Sequence, residues 1–452
     1  MQSLWAETAL VGKNWQNNVR IDIADGKISA ITAGTDPIGT RVGLLCPAPA
    51  NGHSHAFQRA MAGLTEKRGE LPSDSFWTWR KLMFQFLDQL TPDQVQAITA
   101  FVQMEMLEAG FGASVEFHYL HHQPGGIAYD KLGEMSDRVI AAAETSGMGL
   151  TLLPVLYRFG GCDQRPLGAG QIRFGNTPDA YARLIEEART SISALPDGLV
   201  GVAPHSLRAV AREDFAMLGE LAQGAPIHMH LAEQIPEVDE VQAAWGARPV
   251  EWALDNLDMS GQWSLIHCTQ MLPHETEGLA KSGAVAGLCP LTEASLGDGI
   301  FDGMRWAENA GRIAIGSDSN IRISLAEELR QLDTSQRLRD HSRAAYATAE
   351  LSTGHRLMLD ACTGGAQVAG RGTGRIEVGQ PADLMALDSA HVDLMGLQGD
   401  TALDSFVFAG GNDMVRDVWS GGRHLVQDGR HIRREAIVAD YAKAVKTLRE
   451  GL

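Results

Sequence analysis

Apolar and polar residues alternate near the start of the chain. Val19-Arg20-Ile21-Asp22-Ile23 puts its apolar side chains on one face, Asp25-Gly26 supplies a hairpin turn, and Ile28-Ser29-Ala30-Ile31 resumes the alternation. The far end has the same character. Arg375 to Asp388 (RIEVGQPADLMALD) and Val415 to Trp419 predict short strands, and Asp428-Gly429 is another turn signal. The two ends are expected to form one small β-sandwich-like domain, residues 1–43 and 370–430, with the middle of the chain inserted between them. Arg434 to Leu452 has helical spacing and predicts a C-terminal helical segment over 431–452.

The inserted middle, residues 44–369, follows a different pattern. Short apolar runs recur, each ending in polar residues: Leu44-Leu45-Cys46 leading to His53, then ASVEFHY from Ala113, LTLLPVLY from Leu150, LVGVAPHS from Leu199, PIHMHLA from Pro226, WSLIHCT from Trp263, AVAGLCP from Ala284 and RIAIGSDS from Arg312. Helical periodicity fills the gaps, as in 91–108, 132–145 and 178–194. Strand and helix in alternation predict a parallel α/β arrangement. His53 and Asp318 lie about 265 residues apart, close to the roughly 250 of a (β/α)8 barrel. The fold class expected is therefore α/β, a TIM-like (β/α)8 barrel carrying the small β-domain.

Bulk properties narrow the function. The formal net charge of −18 argues against a nucleic-acid binder, which would show a basic footprint. The five cysteines are scattered and never form C-x-x-C, so neither a disulfide framework nor a thiolate zinc site is expected, and a reducing compartment fits. No apolar run reaches the roughly 18 residues of a membrane span. The first residues lack the basic and apolar regions of a signal peptide. A cytoplasmic protein is expected.

Barrel enzymes carry their chemistry at the C-terminal ends of the strands. Here those ends read HSH, EFHY, YR, PHS, HMH, HCT and SDS. Period-two alternation puts His53 and His55 on one side of an extended segment, and His228 and His230 on one side of another. Zinc accepts imidazole nitrogen and carboxylate oxygen, and a catalytic site keeps a position open for water. Each piece has a plainer reading. One H-x-H is a common chance spacing, a strand histidine can be a hydrogen-bonded core residue, and Gly-Ser-Asp-Ser can cap a helix. The ordered set carries the weight: H-x-H on strand one, His230 on five, His267 on six, Asp318 on eight.

That set resembles the amidohydrolase superfamily. Longer strings resemble its formimidoylglutamate deiminase family across nearly the whole chain: His53–Gly63 (HSHAFQRAMAG), Ser75–Arg80 (SFWTWR), Glu116–Tyr119 (EFHY), His205–Arg208 (HSLR), Cys289–Phe301 (CPLTEASLGDGIF) and Gly316–Ser319 (GSDS). Two departures stand out. Gly52 occupies a place where an apolar residue is expected, and Asn320-Ile321-Arg322 follows Asp318 where the family tends to have His-Val-Ser.

The resemblance implies a zinc-dependent hydrolase, with iron or another divalent metal as the alternative, and His53, His55, His230 and Asp318 as ligands. Strand five supplies one ligand in this superfamily, so His228 stays outside the set. Members with two metals use a strand-four lysine; LVGVAPHS has none, so one metal is expected. Glu233, three residues past His230, is implied as the proton shuttle. His267 would orient the attacking water and the reacting nitrogen, and Asp318 would accept the water's proton. The implied substrate is the dicarboxylate N-formimino-L-glutamate, yielding N-formyl-L-glutamate and ammonia in histidine degradation. Arginine suits carboxylates by its bidentate geometry, and the resemblance places Arg80, Arg208, Gln58, Tyr119 and His205 at the substrate. A homodimer is the expected assembly, with no nucleic-acid or membrane partner. The nearest rival is a deaminase of a nucleobase or other aromatic ring, which would replace the arginines by stacking and neutral hydrogen bonds. A non-catalytic barrel is the rival from another class.

Overall fold

A computed structural model describes residues 2–66 and 83–450. At the start of the chain, β1 (Gln2–Val11), β2 (Asn14–Ala24) and β3 (Lys27–Thr32) form an antiparallel meander. The β2–β3 turn has Asp25 and Gly26 at φ +50° and +76°, the double positive φ that matches a hairpin's twist. A fourth strand, β4 (Thr40–Pro47), returns parallel to β1.

Eight strand positions then make the barrel: β5 (Ala50–Ser54), β6 (Ala113–His118), β7 (Gly149–Leu156), the split pair β8 (Leu199–Val200) and β9 (Ala203–Pro204), β10 (Ile227–Leu231), β11 (Trp263–His267), β12 (Val285–Leu288) and β13 (Arg312–Ile315). Neighbours pair in parallel along β5–β6–β7–β8 and along β10–β11–β12–β13. Parallel bridges Val202–Ile227 and Ser54–Asp318 join the two halves into a closed ring. Helices cover the outside. The helix Pro92–Glu108 starts in a capping box in which Thr91 and Gln94 satisfy each other's backbone amides, close to the predicted start.

The chain ends contribute β14 (Leu384–Leu387), β15 (Val415–Ser420), β16 (Arg423–Gln427) and β17 (Arg430–His431). They complete one mixed eight-stranded sheet in the order β17-β16-β15-β14-β4-β1-β2-β3. Leu4, Val19, Ile21, Leu45, Leu384 and Trp419 belong to a core of their own, distinct from the barrel core. The sequence reading of Leu44-Leu45-Cys46 as the first barrel strand is corrected here. These residues lie in β4, paired with β1 and β14. Pro47 and Pro49, which lack an amide hydrogen, break the ladder, and the first barrel strand begins after them at Ala50.

A buried ion cluster ties sheet to barrel. Arg371 grips Asp383 through Nε and Nη2 at 3.0 and 2.9 Å and reaches Asp197 at 3.0 Å, which also receives Arg423 at 2.9 Å. The last helix, Arg434–Glu450, lies on Pro92–Glu108 with Tyr441 stacked on Phe101 at 3.8 Å between ring centroids. All five cysteines are buried and free. Among the described residues no helix is long and apolar enough to cross a membrane.

Candidate functional site

The barrel seam builds the centre of the site. His55 N donates to Asp318 O at 2.9 Å, and Ser317 N and Asp318 N donate to His53 O at 3.1 and 3.0 Å. First and last strands are thus bonded to each other at the residues that carry the acceptor side chains. Gly316 permits this approach. A Cβ there would sit 2.7 Å from His53 O and 2.8 Å from His53 N. Gly52, the first departure from the family pattern, is also fixed by packing: its Cβ would stand 3.0 Å from the Ala314 Cβ.

One ligand-competent atom from each of His53, His55, His230 and Asp318 lies within 4.8 Å of all the others, and all four residues are buried. His53 Nε2 and His55 Nε2 are 3.2 Å apart, and each approaches Asp318 Oδ1, at 3.4 and 3.2 Å. His55 Nδ1 is held by Phe117 O at 2.9 Å and His230 Nδ1 by His205 O at 3.0 Å, which leaves the opposite ring nitrogens as acceptors toward the centre. Burial lowers the pKa of His53 to about 3 and that of His230 well below its ordinary value. Burial opposes charge on Asp318, but His53 and His55 outweigh it and hold the carboxyl well below its usual range. Neutral imidazoles and an ionised carboxylate converging on one point form the donor set a divalent cation requires.

Beside this cluster sit the acid–base candidates. His267 Nε2 is 3.8 Å from Glu233 Oε1. On its other side His267 Nδ1 faces Glu293 Oε1 at 3.2 Å, an oxygen that also accepts from Cys289 N at 2.8 Å. Burial raises the Glu233 pKa, opposed by His267. Ala232 N and Glu233 N both donate to the Glu237 carboxylate, at 3.2 and 3.0 Å, fixing the backbone from which Glu233 projects.

A cleft opens over these groups. Of the residues expected at the substrate, Gln58, Tyr119, His205 and Arg208 line it, together with His267 and Glu233. Gln58 Nε2 donates to Tyr119 Oη at 2.9 Å, and its Oε1 is buried without a partner. Arg208 makes no hydrogen bond or ion pair among the described residues, and its Nε is buried without a partner. Burial works against its charge; Glu237, Tyr157 and Glu233 outweigh that, so the guanidinium stays cationic. Arg80, with the rest of the Ser75–Arg80 string, lies outside the described residues.

Sequence reasoning missed Glu293 and the apolar walls. Tyr157, Phe174, Met83, Phe84 and Leu296 also line the cleft. Tyr157 directly follows β7 in the YR strand end, and Glu293 lies within the CPLTEASLGDGIF string, so both had a positional signal. Other sequence features turn away from the centre. His228 Nε2 is bonded to Val368 O at 2.9 Å, His121 Nε2 to Val155 O at 3.0 Å and His122 Nε2 to Gly175 O at 2.7 Å. Asn320, the first residue of the second departure, is fully buried at φ +57° and donates to Ser54 Oγ at 3.1 Å and Asp318 O at 2.9 Å. Arg322 is exposed and paired with Glu327. The second departure therefore braces the seam and does not line the cleft.

Comparison with known proteins agrees with this geometry. Residues 44–425 match the amidohydrolase family, and residues 1–40 match the N-terminal domain of formimidoylglutamate deiminase HutF. The formimidoylglutamate deiminase of Pseudomonas aeruginosa is 44% identical over 442 residues, covering 96% of this chain and 97% of that protein. A 5-methylthioadenosine/S-adenosylhomocysteine deaminase of Natronomonas pharaonis is 27% identical, covering 92% and 89%. Among solved structures, an amidohydrolase from Brucella melitensis superposes with a TM-score of 0.95 at 43% identity, covering 99% and 100% of the two chains. A zinc-bound adenosine deaminase from Xanthomonas campestris gives 0.83 at 20% identity over 99% and 98%, a likeness of fold.

Proposed function

This chain belongs to the amidohydrolase family, and we propose that it is a formimidoylglutamate deiminase that hydrolyses N-formimino-L-glutamate to N-formyl-L-glutamate and ammonia, with one zinc ion per chain. The observation that carries the substrate is Arg208, which makes no hydrogen bond or ion pair among the described residues and stands on the wall of the cleft that ends at the four-ligand cluster. Glu237 and Glu233 keep it cationic without pairing with it, so its fork of donors is available to an anion. A carboxylate of the substrate supplies that anion.

A divalent metal held by His53, His55, His230 and Asp318 supplies Lewis acidity, which brings the pKa of water down toward about 7. The chain's own groups do the rest. The Arg208 guanidinium receives the side-chain carboxylate and sets the N–CH=NH group over the cluster, with Arg80 proposed as a second grip. Gln58, Tyr119 and His205 frame the cleft around the bound molecule. Water oxygen bonds to the amidine carbon. Glu233 and Asp318 take up the water's two protons in turn, and both are passed on through Glu233 to the departing NH, because that nitrogen leaves only once it has become ammonia. The carbon–nitrogen bond breaks, ammonia departs and the formyl carbonyl remains. His267, steered by Glu293 at 3.2 Å, holds water and nitrogen in line.

The aromatic walls formed by Tyr119, Tyr157 and Phe174 give the rival reading, a ring deaminase, its one structural support. The two separate in one experiment. Ammonia release is measured from N-formimino-L-glutamate, N-formimino-glycine, guanine and adenosine. The proposal expects the glutamate derivative to have the highest kcat/KM by a wide margin; preference for a purine overturns it. The proposal also keeps the expected division into a domain from both chain ends, a barrel from the middle and a terminal segment over 431–452, with the first boundary moved past β4 (Thr40–Pro47). It extends to a cytoplasmic homodimer acting in histidine catabolism, with the dimer checked by light scattering.

A further inference from the structure

The segment Cys289–Phe301 contributes Glu293 to the site, but a second acid in it is more deeply enclosed. Asp298 is 1% exposed, although Gly297, Gly299 and Ile300 around it are exposed. Three loops meet on it. Gln234, the residue after Glu233, donates through Nε2 to Asp298 Oδ1. Gln270, three residues past His267, donates through Nε2 to Asp298 O. Asp298 N donates to Glu293 O at 3.0 Å, and Glu293 in turn faces His267. The loops after β10 and β11 are also laced to each other, since Gln270 N donates to Ala232 O at 2.8 Å and Thr269 Oγ1 to Glu233 O at 2.8 Å. Asp298 Oδ2 is buried with no partner.

We propose that Asp298 is a positioning residue for the proton-carrying carboxylate: through Gln234 and Gln270 it clasps the three strand-end loops, so that Glu233 is held against His267. The inference rests on the role proposed for Glu233. An ionised carboxylate with an orphaned oxygen beside Glu233 would be poorly placed. Burial, and then the neighbouring Glu233, push the Asp298 carboxyl well above the usual carboxylate range, and the neutral acid still accepts the Gln234 amide proton. The clasp also sets Leu296, two residues earlier, in the cleft wall. Shape and an acceptor oxygen are what the clasp needs, so asparagine can substitute for aspartate and alanine cannot.

The test uses the metal-loaded full chain carrying Asp298→Ala, Asp298→Asn or Gln234→Ala. Asp298→Ala and Gln234→Ala should keep the metal and a wild-type KM within about threefold, while kcat falls by roughly 10²-fold, the scale of an ångström-level misplacement. Asp298→Asn should return kcat to within about fivefold of wild type. Wild-type kcat per metal-loaded site in the alanine variants, or a loss that asparagine does not restore, overturns the proposal. A crystal structure of Asp298→Ala decides independently of substrate. Displacement of the Glu233 carboxylate from its 3.8 Å approach to His267 Nε2 supports the clasp, and an unmoved Glu233 overturns it. If wild type fails to turn over N-formimino-L-glutamate, the functional proposal fails, while that crystallographic comparison still judges the clasp.

Discussion

Replacing Arg208 by methionine keeps an unbranched apolar stem and removes the charged guanidinium. In the free protein this guanidinium has no hydrogen bond or ion pair among the described residues, so the substitution breaks no such bond within the fold. It removes donors that a ligand would use. A charge-assisted hydrogen bond is worth about 1.5–3 kcal/mol, and a bidentate carboxylate makes two, so the ceiling is roughly 3–6 kcal/mol. That corresponds to about 10²- to 10⁴-fold in kcat/KM for the full-length substrate. Release of the desolvation that burial imposes on Arg208 pulls the observed effect toward the lower figure. The assay is initial-rate ammonia release from N-formimino-L-glutamate and from N-formimino-glycine, which lacks the side-chain carboxylate. Wild type should prefer the former strongly. Arg208→Met should lose roughly 10²-fold or more on it and change by less than about threefold on the truncated analogue, because only the longer substrate reaches the missing group. Equal losses on both substrates would refute the reasoning, since they would mean that Arg208 acts on the chemistry or the fold and not on that carboxylate.

Glu233→Gln should retain a full complement of metal by elemental analysis yet lose about 10²- to 10⁴-fold in kcat, the range of a lost acid–base group; near-normal turnover in metal-replete protein removes the proton role from this residue. Gly316→Ala drives a Cβ to within 2.8 Å of His53 backbone atoms, so the seam must open. A stability loss of about 1–3 kcal/mol together with weakened metal retention on dialysis is expected, and unchanged retention counts against the seam as the organiser of the cluster. Burial opposes ionisation of Asp197, but Arg371 and Arg423 outweigh it and depress its pKa in the folded chain. A depressed folded value means stability that is present above the unfolded pKa of about 3.9 and is lost as pH falls through the folded value. The Tm gap between wild type and Asp197→Asn should therefore be widest above pH 5 and close in more acidic buffer; a gap that grows on acidification contradicts the sign.

Local rules made part of this legible. The Val19–Ile31 hairpin follows from alternation and a two-residue turn, neither of which depends on distant residues. The H-x-H and Asp318 ends were visible because strand period and barrel polarity put them together whatever the helices do. The first barrel strand was not legible, because ANGHS carries an asparagine, a histidine and a serine. Its polar groups are satisfied only across the seam, where Asn51 Nδ2 donates to Ser317 Oγ at 2.7 Å. The more apolar Leu44–Cys46 looked the better strand, and it is one, in the other sheet. Asn320 stands two residues past Asp318, and its backbone at positive φ and its bond to Ser54 Oγ, which tie it to the seam, have no signature in the spacing. Glu293 and Asp298 act on His267 and Gln234 across loops, a relation that no spacing along the chain encodes.

The account stands on one metal at His53, His55, His230 and Asp318 driving deimination of N-formimino-L-glutamate. The most direct test strips the protein of metal with a chelator and titrates zinc back, following ammonia and N-formyl-L-glutamate together. The account predicts no turnover without metal, a linear rise that breaks at one equivalent per chain, and the two products in equal amounts. Turnover in the stripped protein, a break at two equivalents, or a saturated protein that leaves N-formimino-L-glutamate intact would contradict it.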